Sequence, residues 1–136
     1  MFSLAQYKKL VKYFPRYIKK RLPKEVAVIN ISAKESRRLN RLYRKKNKPT
    51  NVLSFRYGKD YGEILLCSEV IKKEAKQAGN SQNKQMTWML IHAMLHLGGV
   101  HHENGARQEK RFAKLEGLIL KCVLAENSKF KIQKSK

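Results

Sequence analysis

One segment of the chain, residues 85–97, restricts the fold more than any other. It is apolar around almost its whole circumference when it is wound as a helix. Such a helix would expose apolar side chains to water whichever face it turned outward, so it belongs in the interior. Gly98 and Gly99 follow directly and predict that the helix ends there. The sequence therefore predicts a molecule built around one buried helix.

Two histidines interrupt this apolar segment. His92 and His96 are four residues apart, so they lie on one face of the helix, one turn from each other. Burying two imidazoles without partners would cost free energy, and a metal ion would satisfy both. His102 follows shortly afterwards, and Gly98 and Gly99 allow the chain to turn back toward the helix. We therefore predict a metal site formed by His92, His96 and His102.

The ligand set indicates the chemistry of this site. Three neutral histidines occupy three positions of a tetrahedral Zn²⁺ and leave the fourth open to water, as in catalytic zinc sites. A water molecule held there would have its pKa lowered toward 7. The pattern thus predicts a hydrolase with one zinc ion per chain. Iron, manganese and nickel also accept such ligands, so the identity of the metal stays open at this point.

The spacing of the histidines matches that of the H-E-x-x-H-x-x-G-x-x-H metalloproteases, with Gly99 in the place of the motif's glycine. This match favours His102 over the adjacent His101 as third ligand, and leaves His101 as a supporting group or a substitute ligand. In those proteases a Glu follows the first His and acts as general base. Here that position is Ala93, which disfavours a small metalloprotease, and nothing in the pattern places the nearby Glu103 as a substitute base.

The charge of the chain indicates a polyanionic partner. Its 136 residues include 31 Lys and Arg against 10 Asp and Glu, which gives a net charge of +21. Residues 1–50 hold 16 of the basic residues and 2 of the acidic ones. Such an excess repels itself in a compact state, and nucleic acid neutralises it favourably because phosphate contacts release counterions. A compositional bias toward lysine is the alternative explanation.

The cysteines and apolar runs indicate the compartment. Cys67 and Cys122 form no C-x-x-C pair and are too few for a disulfide framework, so we expect two small core residues in a reducing cytoplasm. Residues 1–10 lack the apolar region of a signal peptide, because Lys8 and Lys9 interrupt them. The longest apolar run, residues 88–100, is too short and too polar to cross a bilayer. No membrane association is expected.

The remaining periodicities predict a single α+β domain, in which helices pack on a small mixed β-sheet and the metal site lies on a buried helix, as in zinc metalloproteases. The domain is expected to cover residues 1–126, and a loose basic tail residues 127–136. Predicted helices cover residues 4–22 with a break at Pro15, 32 to about 46–48, 68–78, 85–97 and 105–125. Predicted strands cover residues 25–31, 51–57 and 63–67. The expected core residues include Leu39, Leu42 and Tyr43 in the second helix and Phe112, Leu115, Leu118, Ile119 and Val123 in the last.

Three segments taken together resemble one family. They are LNRLYRKKNKPTNVLSF (39–55), GEI (62–64) and HAMLHLGGVHH (92–102). They are similar to the bacterial YbeY family of metal-dependent endoribonucleases, whose motifs typically read P-T-[DN]-V-L-S-F, then G-D-I, then H-G-x-L-H-L-x-G-y-D-H. This chain departs from the pattern at Glu63 and His101, where the family usually has Asp, and at Ala93, where it usually has Gly.

The resemblance implies a zinc-dependent endoribonuclease that cleaves single-stranded RNA. It further implies processing of the 3′ end of 16S rRNA and ribosome quality control, with rRNA and ribosomal particles as partners and no small-molecule cofactor. It also implies that Arg44 lies in the site cleft, where a guanidinium can hold a phosphate bidentately and stabilise developing charge. Glu63 could orient a ligand histidine, or serve only at the surface or as a cap.

A second interpretation comes from a different class of protein. The chain could be a ribosome-associated RNA-binding factor whose metal is structural, with little turnover. The high positive charge and the substitution at His101 keep this alternative open. It predicts that loss of metal lowers thermal stability and that Arg44→Ala weakens RNA binding, without any detectable cleavage. The oligomeric state is open in both interpretations.

Overall fold

The computed structural model describes residues 2–102 and 105–134. It confirms the predicted α+β class, with helices packed on a three-stranded mixed sheet. Pro15 divides the first predicted helix in two, because its fixed φ and missing N–H do not suit a helix interior. The helices are α1 (Leu4–Val11), α2 (Arg16–Lys19), α3 (Ala33–Arg44), α4 (Ser68–Ala78), α5 (Gln82–Leu97) and α6 (Ala106–Lys134). The strands are β1 (Glu25–Asn30), β2 (Val52–Tyr57) and β3 (Tyr61–Leu66).

The sheet has the strand order β1-β3-β2, so β2 is an edge strand. β2 and β3 form an antiparallel hairpin in which Tyr57 lies opposite Tyr61 and Val52 opposite Leu66. β1 pairs with β3 in parallel. Because side chains alternate along a strand, β2 and β3 each present one set of residues to α5 and another to the opposite face of the sheet, whereas β1 contacts α1. Ile64 and Leu66 are fully buried on the face toward α5.

Helix α5 is the buried helix that the sequence predicts. It contacts β2, β3, α4 and α6, and Leu90, Ile91 and Met94 along it are inaccessible to solvent. It begins at Gln82, earlier than predicted, because the Ser81 hydroxyl accepts a hydrogen bond from the Lys84 amide and caps the first turn. Within the described ranges no helix combines the length and apolar character needed to span a bilayer.

The end of α5 is held by close packing. A Cβ on Gly98 would lie 2.6 Å from Cγ2 of the buried Ile18, so the missing side chain lets α2 pack against this turn. Gly99 has a φ of +83°, which favours glycine, and the Val100 amide then donates to the Leu95 carbonyl oxygen. The chain therefore turns back over the last turn of α5, as the glycine pair predicts.

The predicted buried face of α3 is wrong at Leu42 and Tyr43, whereas Leu39 is half-buried. Leu42 is 62% exposed and Tyr43 61% exposed, whereas Ser36 and Asn40 are buried. Both buried side chains bind the backbone that leads into β2. The Ser36 hydroxyl donates to the Thr50 carbonyl oxygen and accepts from the Thr50 amide, and the Asn40 amide donates to the Lys48 carbonyl oxygen. α3 therefore docks through hydrogen bonds to a neighbouring loop, which apolar periodicity does not reveal.

The structure confirms part of the predicted buried face of α6. Phe112, Ile119 and Val123 are buried, but Leu118 is 52% exposed, contrary to the prediction. Cys122, predicted as a core residue, is exposed as well, because it lies off the buried stripe, whereas Cys67 is buried. The helix continues to Lys134, so the segment expected to be a loose tail is helical that far. The division of the chain at residue 126 stays a prediction.

Candidate metal centre

Helix α5 and the turn after it bring the three predicted histidines together. His92 and His96 project from adjacent turns of α5, and His102 returns to them after the turn at Gly99. One ligand nitrogen from each ring can be chosen so that all lie within 4.8 Å of one another. A tetrahedral zinc with Zn–N bonds of about 2.0–2.1 Å holds its nitrogens about 3.3 Å apart, so modest side-chain rotation suffices to bind one ion. The donor set therefore fits zinc.

Phe112 of α6 packs against this cluster. Its ring centroid lies 4.9 Å from that of His92, 5.1 Å from that of His96 and 4.9 Å from that of His102. Only 3% of Phe112 is exposed. A single apolar ring thus contacts all three imidazoles and limits the rotamers they can adopt. It also excludes water from that side of the cluster.

Glu116 of α6 fixes the orientation of His92. Its Oε2 lies 2.6 Å from His92 Nδ1, and its Oε1 accepts a 2.6 Å hydrogen bond from Trp88 Nε1. A carboxylate at this position favours the tautomer of His92 that carries its proton on Nδ1 and leaves Nε2 free for a metal. The Glu116 residue is 8% exposed, so solvent hardly competes for these contacts.

Sequence reasoning missed Glu116, although a signal for it exists. It lies on the same helical stripe as the buried Phe112, Ile119 and Val123, and a carboxylate on an apolar stripe requires a partner. The sequence suggested Glu63 for this supporting role, among other possibilities. The structure instead places Glu63 opposite Phe55 on the sheet face away from α5, where its carboxylate raises the pKa of Tyr57.

The electrostatics of the cluster keep His96 neutral. Burial, followed in decreasing order by the nearby His92, His102, His101 and Arg44, lowers the pKa of His96 to about 3. An imidazole with so low a pKa offers its lone pair across the neutral pH range. Since a metal binds only the deprotonated ring, this state is the one that coordination requires.

A pocket of about 500 Å³ opens above the histidines. Arg44 lines it from the end of α3, and Ser54 lines it from β2. The pocket contains basic side chains but, among the described residues, no Asp or Glu, so its lining suits an anion. Its lining residues are Arg44, Lys46, Asn51, Val52, Ser54, His92, Ala93, His96 and His102.

The remaining sequence candidates lie outside this arrangement. His101 is exposed, with its ring 5.8 Å from that of His96, and it lines a different, smaller cavity beside Tyr17 and Arg111. It is not a member of the histidine group whose nitrogens converge. Glu103, considered as a possible base, lies outside the described residues.

Comparisons with known proteins agree with these features. A family model described as Endoribonuclease YbeY matches residues 3–123. The Endoribonuclease YbeY of Aquifex aeolicus is 34% identical over 102 residues, which cover 71% of this chain and 68% of that protein. The one from Buchnera aphidicola is 37% identical over 120 residues, which cover 79% and 77% of the two chains. A solution structure of a Thermotoga maritima protein superposes with a TM-score of 0.58 at 26% identity, covering 93% of this chain and 89% of that one.

Proposed function

The chain belongs to the YbeY endoribonuclease family, and we propose that it is a zinc-dependent enzyme that cleaves single-stranded RNA during rRNA maturation. Membership of the family supports an endoribonuclease role. One observation carries the finer proposal: three histidine nitrogens that can hold one ion converge at the base of a pocket lined by Arg44 and Lys46. Processing of the 3′ end of 16S rRNA and ribosome quality control, in the cytoplasm, belong to the same proposal.

In this proposal His92, His96 and His102 hold one zinc ion. When bound, zinc would supply Lewis acidity toward a phosphoryl oxygen or make a nearby water molecule more acidic. Glu116 keeps the His92 ring in the orientation and tautomer that present Nε2 to the pocket. Phe112 covers one side of the cluster, and the pocket lined by Arg44 gives substrate access to the histidines.

Arg44 is the residue we propose to hold the scissile phosphate. It lies at the end of α3, lines the pocket opposite the histidines and is solvent-exposed, so its guanidinium is available to a ligand. A guanidinium binds two phosphate oxygens at once and neutralises the charge that develops during cleavage. Lys46 adds a second cation to the same rim and attracts the flanking phosphates.

Removing the metal tests this proposal directly. We expect the purified chain to contain about one zinc ion per molecule, because one three-histidine site converges in the fold. Dialysis against a chelator should abolish cleavage of a single-stranded oligoribonucleotide, and stoichiometric zinc should restore it. The measurement is the initial cleavage rate, together with metal content by mass spectrometry.

A His92→Ala chain purified in the same way is the control for contaminating nuclease, because any cleavage in that preparation comes from another enzyme. Cleavage that persists in the chelator at the wild-type rate, or that the His92→Ala preparation shows equally, would refute a zinc-dependent nuclease. A peptide-cleavage assay on the same samples addresses the metalloprotease alternative, which Ala93 already disfavours.

Arg44→Ala is expected to lower kcat/KM for RNA by about 100-fold, the cost of losing one group that stabilises transition-state charge. Arg44→Lys should recover only part of the rate, because an ammonium cannot bind two oxygens in a plane. Arg41→Ala is the matched control. It removes the same charge from the same helix, but Arg41 lines a separate groove. An Arg44→Ala effect no larger than that of Arg41→Ala would contradict the phosphate-holding role.

Two observations favour the alternative of an RNA-binding factor with a structural metal. The described lining of the metal pocket contains no carboxylate that could act as general base. In addition, Arg37, Arg38 and Arg41 line a second groove of about 510 Å³ on α3 that could bind RNA without cleaving it. This alternative predicts that zinc removal lowers the melting temperature and that no RNA fragments appear. It also predicts that Arg41→Ala weakens RNA binding as strongly as Arg44→Ala.

A further inference from the structure

The sheet face that turns away from α5 carries exposed aromatic rings. Tyr57 is 56% exposed and Tyr61 37% exposed, and Tyr43 of α3 lies beside them at 61%. Phe55 is half-buried and completes the row. We call Tyr43, Phe55, Tyr57 and Tyr61 the aromatic strip. Single exposed apolar residues are ordinary on a protein surface, but three rings on one sheet face with a fourth from α3 beside them form the kind of patch that interaction sites have.

The rings of the aromatic strip are held in place by one another and by the hairpin. Tyr57 and Tyr61 are cross-strand partners whose ring centroids are 5.8 Å apart with an interplanar angle of 26°. Tyr43 packs on Phe55 at 4.9 Å. The hydrogen bond to Glu63 raises the pKa of Tyr57, and Tyr43 and Tyr61 contribute in the same direction. The strip thus consists of two pairs of rings, each held in place by the contact within the pair.

The aromatic strip and the metal pocket meet at the edge of the sheet. Along the edge strand β2, Ser54 lines the metal pocket, whereas the neighbouring Phe55 belongs to the strip. The last turn of α3 repeats this division, because Tyr43 packs on Phe55 while Arg44 lines the pocket. A strand of RNA lying on the strip can therefore reach the pocket and Arg44 by crossing the edge of β2.

The charges around the aromatic strip favour a polyanion over an apolar protein surface. Lys45 and Lys46 follow Tyr43 and Arg44 at one end, and Lys59 lies in the hairpin turn at the other. Three acidic residues also lie nearby, against the four lysines Lys24, Lys45, Lys46 and Lys59. Glu63 raises the pKa of Tyr57, Asp60 lies 3.8 Å from the Lys24 ammonium, and Glu25 is the β1 residue opposite Tyr61. Cations at both ends of a row of rings are the combination by which proteins bind single-stranded nucleic acid, through phosphates and stacked bases.

We propose that the aromatic strip stacks the unpaired bases that precede or follow the scissile phosphate of a single-stranded RNA. This inference rests on the proposed function, because it assigns a second part of the same substrate to the same face. It also gives a physical reason for a preference for single strands. A base can lie on Tyr57 or Tyr61 only when it is not paired and stacked within a duplex.

Binding of a base-bearing and an abasic oligoribonucleotide of equal length tests the proposal. Both carry the same phosphates, so the difference between them isolates stacking. The metal-stripped wild-type chain should bind the base-bearing strand about tenfold more tightly, as measured by fluorescence anisotropy. The double variant Tyr57→Ala/Tyr61→Ala should lose most of this preference. Tyr57→Phe/Tyr61→Phe, which keeps both rings, should retain it.

Tyr17→Ala is the matched control, since Tyr17 is 46% exposed on α2 and lies outside the strip. It should keep the base preference, and circular dichroism should show that all variants are folded. The stacking proposal is refuted if the wild type binds the two oligonucleotides equally. It is also refuted if the double alanine variant keeps the full preference for the base-bearing strand. Zinc-dependent RNA cleavage would still stand in that case. Conversely, a ring-dependent base preference without any zinc-dependent cleavage would support the strip and refute the nuclease.

Discussion

The double variant His92→Ala/His96→Ala is expected to purify without zinc and to cleave RNA no faster than buffer alone. It removes two of the three converging ligands, and a single histidine cannot hold the ion at ordinary concentrations. The wild type, by contrast, should carry about one zinc per chain. Metal content by mass spectrometry and cleavage of a single-stranded oligoribonucleotide, measured on the same preparations, check both parts of this expectation.

The adjacent histidines supply a sharp control for this experiment. His101→Ala and His102→Ala make the same chemical change at neighbouring positions, but only the His102 ring belongs to the converging group. We therefore expect His101→Ala to keep its zinc and His102→Ala to lose most of it. The reverse result would show that His101 is the third ligand. Absence of metal from every preparation, even after zinc is offered, would remove the basis for hydrolysis and leave an RNA-binding protein.

The features that the sequence predicted well are those that local geometry decides. The burial of α5 follows from its all-round apolar surface, and its end follows from Gly98 and Gly99. The approach of His92 to His96 follows from the helical repeat alone. The position of His102 required only that the chain turn back sharply, which the positive φ of Gly99 allows. None of these inferences depends on a distant part of the chain.

The features that the sequence predicted poorly depend on contacts between distant segments. Apolar spacing suggested that Leu42 and Tyr43 are buried, but α3 docks through Ser36 and Asn40 onto the loop before β2. Tyr43 is thereby left exposed beside Phe55. A helix with a weak apolar face can rotate to satisfy polar partners, and those partners are not recognisable before the fold is known.

The dependence on contacts between distant segments also explains why the sequence offers Glu63, and not Glu116, as a residue that could orient a ligand histidine. Glu63 is near the family motifs in the sequence, whereas Glu116 reaches His92 only because α6 packs against α5. The pairing is a tertiary contact between two helices. What the sequence does contain is an acidic residue on the buried stripe of α6, which marks a carboxylate that needs a buried donor.

Glu116→Ala is therefore expected to weaken zinc binding by about 10- to 100-fold, the usual effect of removing a group that orients a metal-ligating histidine. Without the carboxylate, His92 can rotate or adopt the other tautomer, in which Nε2 carries the proton and cannot bind the metal. The Trp88 and His92 N–H groups also lose their acceptor, which should lower the free energy of unfolding by about 1–3 kcal/mol. Competition with a zinc-binding dye measures the affinity, and thermal unfolding of metal-free samples measures the stability.

Two further variants separate orientation from simple destabilisation. Glu116→Gln keeps the shape but offers one acceptor atom for two donors, so its zinc affinity should lie between those of the wild type and Glu116→Ala. Glu109→Ala removes an exposed carboxylate from the first turn of the same helix and should leave zinc affinity unchanged. A Glu116→Ala protein that is less stable but binds zinc as tightly as the wild type would show that α5 and Phe112 alone orient His92. If Glu116→Ala loses both stability and zinc affinity while Glu109→Ala keeps its zinc affinity, the Glu116 carboxylate is part of the metal centre.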